Sequence, residues 1–151
     1  MKCEFLLTYH ADLTPAVEVG GGPFGTRVFF EVKGGTFEGP RLRGKILSGG
    51  GDWLLIDAQG VARLDVRAVF ETDDGARIYV QYPGVLVMDP KTQAAIAGGP
   101  ATAYGDTHWV TQLRFETGDT RYAWLNSVIA VGEGHAVASA VEYRVYECIG
   151  G

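Results

Sequence analysis

Sulfur, basic charge and long apolar runs are all scarce in this chain, and each scarcity removes a class of protein. No apolar stretch approaches the roughly 20 residues of a membrane-spanning helix, so no membrane association is expected. The opening MKCEFLLTYHADL is too polar and too soon interrupted for a secretory signal, which makes a cytoplasmic protein the expectation. Thirteen Lys and Arg against eighteen Asp and Glu leave a net charge of -5. That balance argues against nucleic acid as a partner, because a phosphate backbone demands a basic face. His10, His108 and His135 lie far apart, without a Cys or carboxylate at ligand spacing, so no metal and no cofactor is expected. The two cysteines, Cys3 and Cys148, stand at opposite ends. They would meet if the first and last strands paired antiparallel, but a reducing compartment keeps both as thiols, and they read as small apolar fillers. Gly49-Gly50-Gly51 lacks the Lys-Ser/Thr and the following helix of a phosphate loop, and no Ser-His-Asp order or nucleophile elbow is present.

Glycine is the abundant residue, with 22 in 151, accompanied by many Val, Tyr, Phe and Trp. That mixture implies many short strands joined by tight turns in a single domain. Residues 3–9 read as a strand with Phe5, Leu7 and Tyr9 on one side. Gly20-Gly21-Gly22-Pro23 reads as a break, followed by a strand over 26–32 with Val28, Phe30 and Val32 on one face and a turn at Gly34-Gly35. Further strands are expected over 42–47 and 53–56, with turns at Gly49–Asp52 and Asp57–Gly60. The segment 61–71 alternates strictly: Val61, Arg63, Asp65, Arg67, Val69 and Glu71 share one face, and Ala62, Leu64, Val66, Ala68 and Phe70 the other.

A register follows for the next hairpin. A two-residue turn at Asp74-Gly75 would carry the polar face of one strand into the apolar face of the next. A three-residue loop, Asp73-Asp74-Gly75 with a left-handed glycine, sets Glu71 opposite Arg77, Val69 opposite Tyr79 and Arg67 opposite Gln81, with Phe70–Ile78, Ala68–Val80 and Val66–Tyr82 on the other face. One short helix is expected, with Asp89 as N-cap, Pro90 at the first position and Gly98 just past the end. Three more strands finish the chain, over about 109–115, 122–131 and 137–148. The whole is an all-β, antiparallel up-and-down barrel of 8–10 strands with one short helix.

The stretches GPRLRGKILSGGGDWLL, GVARLDVRAVFETDDGARIYV and RFETGDTRYAWLN closely resemble the motifs of domain-of-unknown-function family 3237. The likeness runs from Gly39 nearly to the end, with small departures such as Ser48 where proline is common. It implies a calycin-like barrel and no established chemistry. It also implies that the Asp65-x-Arg67 pattern, which the family retains, faces a pocket; alternation alone leaves that face free to be a solvated exterior.

On the pocket reading, Asp65 is a general base and Arg67 holds a carboxylate, phenolate or enolate oxygen. Trp53, Tyr79, Tyr122 and Trp124 are candidate aromatic walls, or else core filling or oligomer contacts. Asn126 is either a ligand contact or a structural link. Asp52 closes its glycine turn or joins the site, and Arg41 pairs with it or reaches the barrel mouth. Glu116 is a candidate acid or base, or a turn-flanking residue, and His108 a loop proton carrier or merely solvated. Two functions from different classes follow. One is a metal-free acid–base enzyme, of isomerase, cyclase, lyase or hydrolase type, acting on a small, partly aromatic or carbonyl-bearing metabolite. The other is a non-catalytic carrier or sensor for such a small-molecule ligand. A homo-oligomer, most simply a dimer, is expected if both sheet faces are to be covered.

Overall fold

A computed structural model describes residues 1–151. Ten antiparallel strands occur in chain order: β1 Lys2–Leu13, β2 Val17–Gly22, β3 Gly25–Glu38, β4 Arg43–Ile46, β5 Gly50–Ile56, β6 Val61–Thr72, β7 Arg77–Val87, β8 Trp109–Glu116, β9 Ile129–Val137 and β10 Ala140–Ile149. A helix, α1 (Pro90–Ile96), lies between β7 and β8, and a 3₁₀ helix (Thr120–Ser127) between β8 and β9. Apart from β1/β2 and β4/β5, strands consecutive in sequence pair in the sheet, and β1 pairs with both β10 and β3, so the sheet closes on itself. Ten strands fill eight positions. β2 continues the line of β1 along β3, and β4 and β5 sit in tandem between β3 and β6. Closure removes the unpaired edges that an open sheet would carry. Neither helix is long and apolar enough to cross a membrane.

The hairpin of β6 and β7 pairs as the face-matching argument requires, from Glu71↔Arg77 through Val69↔Tyr79 and Arg67↔Gln81. Gly75 adopts φ +90° and donates its N–H to the Thr72 carbonyl, closing the three-residue loop 73–75. The helix also begins and ends as expected. The Asp89 side chain accepts from the Thr92 N–H at 2.7 Å, Pro90 occupies the first turn, and Gly98 takes φ +104°.

Alternation places Ala62, Leu64, Val66, Ala68 and Phe70 inside, together with Ile78, Val80 and Tyr82 from β7. Thirty buried residues from almost every strand form one core within the barrel. Val28, Phe30 and Val32 point inward, as their alternation requires. Five expectations are corrected. Gly50, Gly51 and Asp52 are not a turn but open β5, where they pair with β3. Phe5 does not share a face with Leu7 and Tyr9, because a bulge between Phe5 and Leu7 shifts the register, burying Leu6 and Leu7 and exposing Phe5. Gly20–Gly22 are not a break but part of β2, an outer strand where missing side chains cost no core packing. Gly34-Gly35 are not a turn. β3 runs through them, and a Cβ at Gly35 would collide with the His10 carbonyl where β1 crosses closely. Residues 122–127 form the 3₁₀ helix and not a strand; Asp119 caps it by accepting from the Arg121 N–H.

Candidate functional site

The carboxylate on the inner cavity wall is Asp52. Residues 52 and 54 of β5 face inward while Trp53 faces out. Asp52 pairs with Val66, which pairs with Tyr82, so carboxylate and phenol lie two strands apart on the interior surface. Opposite Leu64 and Asp65 the β5–β6 backbone ladder lapses, and the Asp52 Oδ1 accepts the Asp65 backbone N–H at 3.0 Å in its place. One carboxylate oxygen is thereby held by the sheet, and the other is left for the interior.

Three tyrosines and a tryptophan surround this point. Tyr9 of β1 stacks on Tyr143 of β10 at 4.8 Å between ring centroids, and Tyr82 meets Tyr143 edge-on at 5.7 Å. The Trp109 Nε1–H donates to the Tyr143 hydroxyl at 2.8 Å, fixing that oxygen as acceptor and directing its own proton elsewhere. The Tyr9 hydroxyl is buried without any hydrogen-bond partner. Such a group costs about 1–3 kcal/mol if it stays unpaired, and the hydroxyl nearest to it is that of Tyr82.

Asp52, Tyr82, Tyr143 and Trp109 line a cavity of about 40 Å³ in which fourteen of fifteen lining residues are hydrophobic. That is room for about three waters, or for the oxygen-bearing end of a larger molecule. Leu13, Phe30, Leu54, Met88 and Ile96 also line a wider vestibule of about 640 Å³, between α1 and the β2–β3 hairpin. The vestibule is within the size range of small-molecule sites. At the opposite end the 3₁₀ helix packs Leu125, Tyr122 and Trp124 against the core.

The electrostatics follow from this enclosure. Loss of water pushes the Asp52 carboxyl up from 3.8 to about 7, aided by the nearby Asp65 charge and opposed by the bond from the Asp65 N–H. Asp52 is only partly exposed and forms part of the cavity wall. Burial likewise raises Tyr9, Tyr82 and Tyr143, and the Asp52 charge adds to the effect in each. The phenols therefore remain neutral donors while the carboxyl changes charge near neutrality. No Lys, Arg or His lines the inner cavity.

Among the residues expected from sequence, Asp52 is the one that reaches this cavity. Asp65 and Arg67 are exposed on the outer wall, since the aliphatic set of β6 took the interior; the expected inward orientation of the pair is reversed. Trp53 is 41% exposed outside the barrel, tilted against Phe29 at 4.9 Å. Tyr79 and Glu116 line an outer groove with Gln81, Arg114 and Asn126, remote from Asp52. Asn126 is a structural link: its Oδ1 accepts the Thr117 N–H at 2.8 Å and its Nδ2 donates to the Thr117 carbonyl at 3.0 Å. Tyr122 donates to the Asp74 carboxylate, and the Arg41 guanidinium lies 3.8 Å over the Trp124 ring while bonding Glu147 at 2.7 Å. Tyr122, Trp124 and Asn126 share no common face because a 3₁₀ turn separates residues that a strand would align. Tyr9, Tyr82, Tyr143 and Trp109 are site residues that sequence reasoning does not reach. The available signal was Tyr82 itself, a hydroxyl on the same alternating face as Ile78 and Val80.

The family described as "Protein of unknown function (DUF3237)" matches residues 1–148. A "UPF0311 protein" of Rhodopseudomonas palustris is 30% identical over 99% of this chain and 97% of its own length. Among solved structures, a beta-barrel like protein from Acinetobacter baumannii is similar at 36% identity with a TM-score of 0.81, covering 97% of this chain and 94% of that one. One described as an enzyme from Penicillium herquei is similar at 26% identity with a TM-score of 0.68, over the same shares.

Proposed function

Because this chain belongs to the DUF3237 family, whose description carries no reaction, we propose from its own interior that it is an acid–base enzyme for a small, neutral carbonyl or phenolic compound. The observation that carries the reading is Asp52, a carboxyl lining an apolar cavity together with Tyr82 and Tyr143. The narrow inner cavity takes the oxygen of the ligand, and its apolar, partly aromatic body rests in the vestibule. As carboxylate, Asp52 removes a proton next to the carbonyl, and its conjugate acid returns the proton elsewhere. Tyr82 and Tyr143 donate hydrogen bonds to the oxygen as negative charge gathers there, in a site with little water to rearrange. The absence of a cationic side chain from the inner wall favours neutral ligands over anions. That a barrel of the same fold is described as an enzyme agrees with this reading.

The experiment is proton exchange. A panel of small cyclic and aryl ketones is incubated in D₂O with wild type and with Asp52→Asn, and deuterium uptake beside the carbonyl is followed by NMR. Enzyme-dependent uptake that the variant lacks is the expected result; uptake equal in both proteins, or none with ketones shown to bind, overturns the assignment of Asp52 as the base. The almost wholly apolar wall supports a second reading, a carrier that holds such a ligand unchanged. A carrier would bind the panel equally well after Asp52→Asn and exchange nothing in either form.

A further inference from the structure

We propose that Cys3 and Cys148 form a redox modification site, in which a small-molecule disulfide converts the two thiols to a cystine joining the first strand to the last. The expectation that both are apolar fillers does not hold: Cys3 is exposed and Cys148 half-buried. They are direct partners in the β1–β10 ladder, with the two Sγ atoms 3.9 Å apart on the outer face. The closure of the barrel thus brings together residues 145 positions apart in sequence.

The surroundings give the bond something to do. β1–β10 is where the two ends of the chain meet, and the next pair inward sets Glu4 opposite Glu147. Like charges directly opposite weaken a ladder, and here each is drawn to a different cation, Glu4 to Lys2 and Glu147 to Arg41. The thiols therefore sit directly beside a like-charge pair in the closure. A cystine there closes nearly the whole chain into one covalent ring, which stabilises by restricting the unfolded chain.

Burial and the adjacent Cys3 thiol push Cys148 up, so the more exposed Cys3 attacks first. Its thiolate displaces one thiolate from the small disulfide, breaking that S–S bond and leaving a mixed disulfide on Cys3. The Cys148 thiolate then attacks the Cys3 sulfur and releases the second small thiol. Two cysteine thiols lose two electrons and two protons, and one small disulfide becomes two thiols.

The test treats the full-length protein with excess oxidised glutathione at mildly alkaline pH, then quenches with acid, alkylates and measures the intact mass. The expected product is a monomer that has lost two hydrogens, takes up no alkyl group, and melts several degrees higher, with dithiothreitol reversing all three changes. Cys3→Ser and Cys148→Ser should each accept one glutathione and show no rise in melting temperature. Wild type that carries two alkyl groups or two glutathiones after treatment overturns the site. A cystine without any rise in melting temperature overturns its role at the closure.

Discussion

Replacing Asp52 by Asn tests the enclosure of the carboxyl directly, through the pH dependence of stability. The Asn carbonyl oxygen keeps the acceptor role toward the Asp65 N–H, so the change removes ionisation and little else. In the folded protein burial raises Asp52 from 3.8 to about 7, whereas the unfolded chain returns it to water and to its ordinary value. Between about pH 4 and 7 the folded state therefore holds a proton that the unfolded state has released, and wild-type stability falls as pH rises through that window. Below it the carboxyl is protonated in both states and contributes nothing; above it the cost is complete. At about 1.36 kcal/mol per pH unit, a rise from 3.8 to about 7 amounts to about 4 kcal/mol. Asn carries no such cost. Urea unfolding of both proteins across pH 5 to 8.5 should show the variant gaining on wild type by about 2–3 kcal/mol over that range. Parallel curves for the two proteins would refute the account of Asp52 as an enclosed, titrating acid.

Tyr9→Phe removes a buried hydroxyl without a partner and should stabilise the protein by about 1 kcal/mol in the same assay; a loss of stability would show that the hydroxyl is already satisfied. With Asp52 as base, kcat/KM for any exchanging ketone should rise through about pH 7 to a plateau, and a profile flat across neutrality would remove Asp52 from the mechanism. Asp65→Asn and Arg67→Ala lie on the outer wall and should change stability by less than about 0.5 kcal/mol and leave exchange intact; loss of exchange in either would return the site to the outer face. Asn126→Ala breaks both bonds to Thr117 and should cost about 1–3 kcal/mol with ligand affinity unchanged, checked by denaturation and ligand titration in parallel.

Much of the architecture was legible because strand physics is local. A period of two sorts side chains onto two faces, and turn chemistry sets the offset between paired strands. The β6–β7 register, the left-handed Gly75 and the Asp89 and Gly98 helix ends all follow from neighbours a few residues apart. The same locality explains the misses. The bulge after Phe5 responds to β10, and β3 passes through Gly34 and Gly35 because β1 crosses there. Residues 122–127 alternate passably but follow the capping Asp119 into a 3₁₀ helix that packs Leu125 into the core.

The chain by itself determined that β6 has one charged and one aliphatic face, but not which of them looks inward. That choice belonged to the closed barrel, whose interior has too little water to solvate Arg63, Asp65 and Arg67 and so took Leu64, Val66 and Ala68 instead. It also belonged to closure that Asp52, Tyr9, Tyr82 and Tyr143, drawn from four separate strands, converge on one point. Alternation along a strand is written in consecutive residues; convergence across a barrel depends on every strand register at once.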